Sequence, residues 1–367
     1  MSRKLLFSTC AAALLGGAAL ADTPNVAVDI APVHSLVARV MEGVGTPNLI
    51  VQPGASPHEY SMRPSDAAAL QAADLVFWIG EDLTPWMEDA VDTLAQNAAV
   101  TSLLEAAETT RLDFREGALF EAHDHGDEEH ADYDDHDHGA EKAADHDDHD
   151  HGNDAHGDHD HGAKEAADHD DHDHGAEEHA DHDDHEEEHA GHDGHDHGAH
   201  DPHAWLSPRN ASAWLDLIAA ELSKADPGNA EAYASNASAA RAEIDALTAD
   251  VKATLDPVRG RSFIVFHDAY QYFENDFDFP ASGAISLGDA SDPSPARIAE
   301  IQARISDAGI ACVLAEPQFN PGVVDVVMDG TDAKTAVIDP LGATLEPGPG
   351  LYTQLIRKMA GALAGCL

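Results

Sequence analysis

The chemistry of this chain is concentrated in histidine. Of its 26 histidines, 22 fall between positions 121 and 200; the other four are His34, His58, His203 and His267. His58 stands in "PGASPHEYSMRPSD", after an apolar run at 48–52 and before a helical pattern beginning near Ser65. His267 closes "RSFIVFHD" (261–268), a second strand-to-helix junction. Open α/β sheets bind ligands at such carboxyl ends of strands. His203, in "DPHAWLSP", leaves the histidine-rich stretch and enters sequence with Trp205, Leu206 and Trp214, where a folded core resumes. Asp339 closes the apolar run "TAVID" ahead of Pro340, Leu341 and Gly342. Taken singly, each has an ordinary reading as a packing histidine, a loop histidine or a turn aspartate. Together, three neutral imidazoles and one carboxylate make a compact tetrahedral donor set suited to Zn²⁺, whereas Mn²⁺ favours more oxygen ligands. His34, at the helix start "APVHSLVARV", has no partner cue and reads as a packing residue.

Positioning these residues requires strands that end where they lie. "NVAVDI" (25–30), "NLIVQ" (48–52), "DLVFWIG" (74–80), "RSFIVFHD" (261–268), "GIACVLAE" (309–316) and "TAVID" (335–339) are short apolar runs. Helical patterns at 32–43, 65–73, 294–308 and 351–365 alternate with them. That alternation predicts βαβ units and mainly parallel sheets, arranged as two α/β lobes. Between the lobes, Tyr233, Ala237, Ala240, Ile244, Leu247, Val251 and Leu255 recur at helical spacing. They predict one long helix over 226–255, opened by Asp226, Pro227 and Gly228, as a stiff strut or else a surface helix of one lobe.

The formal charge of −51 is carried unevenly. Residues 121–200 hold 32 Asp or Glu against Lys142 and Lys164, a net of −30. This acidic balance argues against nucleic acid or an anionic membrane as partner and favours cations. The tract is repetitive, with "HDHG" at 123, 136, 149, 159, 172 and 195 and "AADHDDHDHG" at 143 and 166. With almost no large apolar residue it is expected to be a disordered insertion. Its imidazoles and carboxylates offer many weak zinc sites, so it reads as a low-affinity zinc reservoir or sensor, or else as a solvated spacer. Residues 1–21 have the parts of a cleavable signal: Arg3 and Lys4, an apolar run from Leu5 to Leu15, and Ala19-Leu20-Ala21. Export from the cytoplasm is therefore expected. After cleavage Cys312 and Cys366 remain, most simply as a disulfide in an oxidising compartment, with inert thiols as the alternative. The expected organisation is a signal peptide (1–21), an N-terminal lobe (22–120 and 201–225) interrupted by the insertion (121–200), a linker helix (226–255) and a C-terminal lobe (256–367).

The stretches "PGASPHEYSMRPSD", "DPHAWLSP", "DPGNAEAYASNA", "FHDAYQYF", "ACVLAEPQFNP" and "IDPLG" are spread, in this order, over nearly all of the chain outside the tract. In that arrangement the sequence resembles the metal-specific solute-binding proteins of ABC transporters, and within that family the periplasmic zinc-binding members. The resemblance implies metal ligation by His58, His203 and His267, with Asp339 as the fourth ligand. Some zinc-binding members place an acidic residue just before the first histidine. Here that position is Pro57, so Glu59, a water or a tract histidine remain alternatives for the fourth place. The resemblance also implies the Cys312–Cys366 disulfide, lobes joined by a stiff helix, and delivery of zinc to an inner-membrane permease. Whether a periplasmic zinc chaperone is a further partner is left open; a monomer is expected. A manganese or iron receptor of the same family is the near rival, disfavoured by histidine rather than a carboxylate at position 267. A general zinc buffer would shift the function to the tract. A zinc hydrolase would need an open water site and a nearby base; outside the histidine-rich tract the chain has no HExxH, and Glu59, the only glutamate adjacent to one of the three histidines, is the candidate base.

Overall fold

The computed structural model describes residues 23–115, 120, 200–286 and 293–367. The expected signal peptide and nearly all of the acidic insertion lie outside the described residues.

The first sheet contains β1 (Val26–Val28), β2 (Asn48–Leu49), β3 (Leu75–Trp78) and β4 (Ala99–Ser102). The second contains β5 (Phe263–His267), β6 (Ala284–Ser286), β7 (Cys312–Ala315) and β8 (Lys334–Val337). Both are wholly parallel, in the orders β2-β1-β3-β4 and β6-β5-β7-β8. Each sheet thus reverses its direction of growth beside its first strand, which places a crevice at the carboxyl ends of β1 and β3 and of β5 and β7. Strands β1, β3 and β5 are buried along their whole length, as continuous apolar runs covered on both faces require.

Helices α1 (Ala31–Val40), α2 (Pro64–Gln71) and α3 (Pro85–Leu94) cover the first sheet with α4 (Pro208–Ala225). On the outer side, Ala27, Ile50, Val76 and Trp78 pack with Leu70, Met87 and Val91. The second sheet has the matching arrangement. Its α6 (Gln271–Phe277) follows β5, and α7 (Pro295–Asp307) and α8 (Pro321–Met328) bury Ile301, Ile305, Val324 and Val327 against Ile264, Phe266 and Val313.

The long helix α5 spans Ala230–Leu255, and its seven predicted stripe residues are its buried residues. It packs on α4, α1 and α9 (Leu351–Cys366), so its stripe faces helices of both lobes. Burying each large apolar side chain of that stripe contributes roughly 1.5–3 kcal/mol. The helix begins later than the sequence suggests. Pro227–Asn229 form a separate 3₁₀ turn, because Asp226 closes α4 and accepts hydrogen bonds from Asn229 Nδ2 and Tyr233 Oη. One continuous core runs from Val26 in β1 through α5 to Leu363 in α9. Cys312 of β7 and Cys366 of α9 form the expected disulfide, closing a separation of 54 residues. No helix among the described residues is long and apolar enough to cross a membrane.

Candidate metal centre

Three of the four non-tract histidines line one cavity of about 20 Å³: His58, His203 and His267, with Trp205, Gln318 and Phe319. A space of this size accommodates one or two atoms of water size.

Each histidine is placed by a different element. His58 lies in the loop between β2 and α2. Trp86 Nε1 of α3 donates to Pro57 O at 2.7 Å, and Tyr60 Oη donates to Asp66 Oδ2 at 2.9 Å. Asp66 also accepts from the Arg63 backbone N–H in the box that caps α2, so the loop is fastened at both ends. His203 precedes the 3₁₀ turn Ala204–Leu206 that leads into α4, whose start is capped by Ser207 accepting from Asn210 N. His267 is the last residue of β5, at the crevice of the second sheet.

The ring centroids of His58 and His203 are 5.8 Å apart, and those of His203 and His267 are 5.3 Å apart. Imidazoles bound to a tetrahedral zinc at 2.0–2.1 Å place their centroids roughly 5 Å apart. The described positions are near that spacing but relaxed from it, and no three His, Cys, Asp or Glu side chains among the described residues yet converge on a coordination sphere.

Hydrogen bonds fix which nitrogen of two of the rings faces a carboxylate. His203 Nδ1 stands 2.7 Å from Asp201 Oδ1, which also accepts from the His203 backbone N–H at 2.9 Å. His267 Nδ1 stands 2.7 Å from Glu316 Oε1. Both carboxylates are buried. A carboxylate on Nδ1 holds the tautomer with the proton there and turns a basic Nε2 toward a metal. Sequence reasoning missed both carboxylates. Asp201 was within reach of it, two residues before His203 in "DPH". Glu316 is 49 residues from His267 and reaches it only because β5 and β7 are neighbours.

Asp339 follows β8 and does not itself line the cavity, although Pro340 and Leu341 directly after it do. Its Oδ1 accepts from the backbone N–H groups of Leu341 and Gly342 at 3.2 and 2.9 Å. Gly342 holds the turn with a φ of +71°, and a Cβ there would press on Leu351 and Leu345. Asp339 Oδ2 is buried without a hydrogen-bond partner among the described residues. Burial, together with the Glu316 and Asp339 carboxylates, pushes the Tyr270 hydroxyl well above its ordinary range, so it stays protonated beside them. Glu59 is exposed and does not line the cavity. His34 is buried in α1 with Nε2 3.1 Å from Pro47 O, away from the cavity.

The lobes are tied across this crevice. Trp205 Nε1 donates to Pro340 O at 2.9 Å, and Tyr352 Oη of α9 donates to Trp205 O at 3.0 Å. Paired parallel sheets with a small histidine-lined cavity between them define a two-lobed metal-capturing binding protein. The chain belongs to the ZnuA family of periplasmic zinc-uptake complex component A, whose pattern it matches over residues 26–366. It is 45% identical over 362 residues to the high-affinity zinc uptake system protein ZnuA of Brucella abortus, covering 99% of this chain and 97% of that one. The ZnuA of Paracoccus denitrificans is 42% identical over 360 residues, covering 97% and 96%. A crystal structure of a ZnuA superposes with a TM-score of 0.63 at 18% identity, covering 94% of this chain and 99% of that one, and shares its fold.

Proposed function

We propose that this protein is a periplasmic receptor that captures one Zn²⁺ between its lobes and delivers it to an ABC permease for uptake. The observation that carries the reading is an ion-sized cavity lined by His58, His203 and His267, two of which have Nδ1 held by buried carboxylates. Asp339 is the fourth ligand in this reading. Its Oδ2 is buried with no hydrogen-bond partner among the described residues, and Pro340, which follows it in the chain, lines the cavity, while Glu59 faces solvent. Nitrogen donors in the majority favour zinc over manganese. Residues 1–21 direct export, and the receptor acts as a monomer that binds its cargo without transforming it.

The insertion serves as a low-affinity reservoir in the same reading. Its net charge of −30 concentrates divalent cations, and its histidines hold them weakly. The curated relatives that match nearly the whole chain carry zinc-uptake names, which supports the reading. Zinc uptake by cells starved with a chelator tests it. His203→Ala should abolish high-affinity uptake, while deletion of 121–199 should only slow it when zinc is scarce. Uptake that survives His203→Ala and disappears with the deletion would transfer the function to the tract.

A further inference from the structure

Arg115 lies at the N-terminal root of the acidic insertion, yet its side chain reaches the second lobe. Its Nε donates to both oxygens of Asp268 at 3.0 Å, and its Nη2 donates to Asp268 Oδ1. The same guanidinium donates from Nη1 to Glu274 Oε2 at 2.8 Å and from Nη2 to Glu274 Oε1 at 3.1 Å. Asp268 follows His267 directly in the chain, and Glu274 lies on α6 one short turn beyond. Both carboxylates are buried, with burial raising their affinity for protons and Arg115 opposing it. Among the described residues no other cation forms an ion pair with either.

The other root of the insertion docks on the same segment. Asp113 and His200 form an antiparallel bridge, and His200 Nδ1 is 2.8 Å from Asp113 Oδ1. Gln271 Nε2 donates to Asp113 O and to Asp201 Oδ2 at 3.0 and 3.2 Å. Tyr272 Oη accepts from Leu112 N at 3.0 Å and donates to Asp201 O at 2.7 Å. Residues 268–274 therefore hold both roots, and Asp201 among them orients His203. The segments that carry His203 and His267 meet at this junction, where Arg115 is the only arginine or lysine in an ion pair among the described residues.

We propose that Arg115 is a positioning residue for the metal centre, fastening the segment that carries His267 to the root of the insertion. An arginine suits the task because its rigid planar fork directs five donors at the two carboxylates, whereas a lysine ammonium is a point charge on a flexible stem. The inference rests on the reading of His58, His203 and His267 as zinc ligands.

The test uses the full chain and zinc, with a competing chelator strong enough to strip weakly held metal. Arg115→Met should weaken the tight site about tenfold, the lower end of the range for residues that orient metal ligands, chiefly through faster zinc dissociation. Since unpaired buried carboxylates could unfold that variant, Arg115→Met combined with Asp268→Asn and Glu274→Gln removes the charges. This triple variant should recover thermal stability while zinc stays weak. Arg115→Lys should restore part of the affinity. A role in stability alone would lower the melting temperature and leave zinc affinity and dissociation within twofold of wild type in the triple variant, which overturns the proposal. His58→Ala, measured in parallel, separates the two readings. If it leaves the tight site intact, the ligand assignment fails and the inference falls with it.

Discussion

Glu316 offers the sharpest perturbation of the proposed site, since it would act on a bound zinc only through His267. Its Oε1 lies 2.7 Å from His267 Nδ1 and 3.4 Å from the His267 backbone nitrogen, and its side chain is fully buried. Glu316→Gln keeps an oxygen that can accept the Nδ1 proton, and so preserves the ring's orientation, but it removes the charge that makes the imidazole more basic. Glu316→Ala removes both and leaves a buried N–H without an acceptor. Hydrogen bonds to charged groups contribute about 1.5–3 kcal/mol and an orphaned buried donor costs about 1–3 kcal/mol. Zinc affinity should therefore fall about tenfold in the glutamine variant and about a hundredfold in the alanine variant, spanning the range found for residues behind metal ligands. Chelator competition measures the affinities, and thermal melting of metal-free protein supplies a second reading of opposite sign. Glu316 Oε2 is buried with no hydrogen-bond partner among the described residues. Neutralising this carboxylate should thus leave the melting temperature of the metal-free glutamine variant unchanged or higher. Wild-type zinc affinity in the alanine variant, or a glutamine variant weaker than alanine, would refute the reasoning.

Asp29 directly follows β1 with both oxygens taking backbone N–H groups, from Ile30 and Ile79, yet burial pushes its carboxyl from 3.8 to about 7. The folded protein then keeps a proton that the unfolded chain releases, so this contribution is fully present below about pH 4 and is lost as pH rises through about 7. The stability difference between wild type and Asp29→Asn, from denaturant midpoints, should shrink between pH 4 and 7.5, and an unchanged difference would contradict the shift. The Cys312–Cys366 bridge closes a separation of 54 residues, for which chain entropy gives about 4 kcal/mol. Replacing both cysteines by serine should lower the melting temperature by roughly 10 °C, and a change within 2–3 °C would place the bridge's contribution elsewhere.

The features legible in sequence were those written as local periodicity. The α5 stripe from Tyr233 to Leu255 buries as its spacing implies, and every apolar run assigned as a strand overlaps one, although β2 shortens to Asn48–Leu49 and β8 begins one residue early at Lys334. Elements without such a signal were missed. β4 (Ala99–Ser102) is partly exposed at a sheet edge and has no apolar run, and α6 is only seven residues long. The histidines could be found because so few lie outside the tract and each follows a strand or opens a turn. Their supporting partners could not, because Glu316 reaches His267 only through strand adjacency and Arg115 reaches Asp268 across 153 residues of sequence. Sheet order is a tertiary fact, and no local pattern encodes it.

The most direct test of the account is a zinc titration of protein lacking residues 121–199, followed with a competing chelator in the presence of excess manganese. The account predicts one tightly bound zinc per chain that manganese does not displace. Loss of tight binding in this shortened chain would show that the tract supplies the ligands, and it would contradict a receptor site built on His58, His203 and His267.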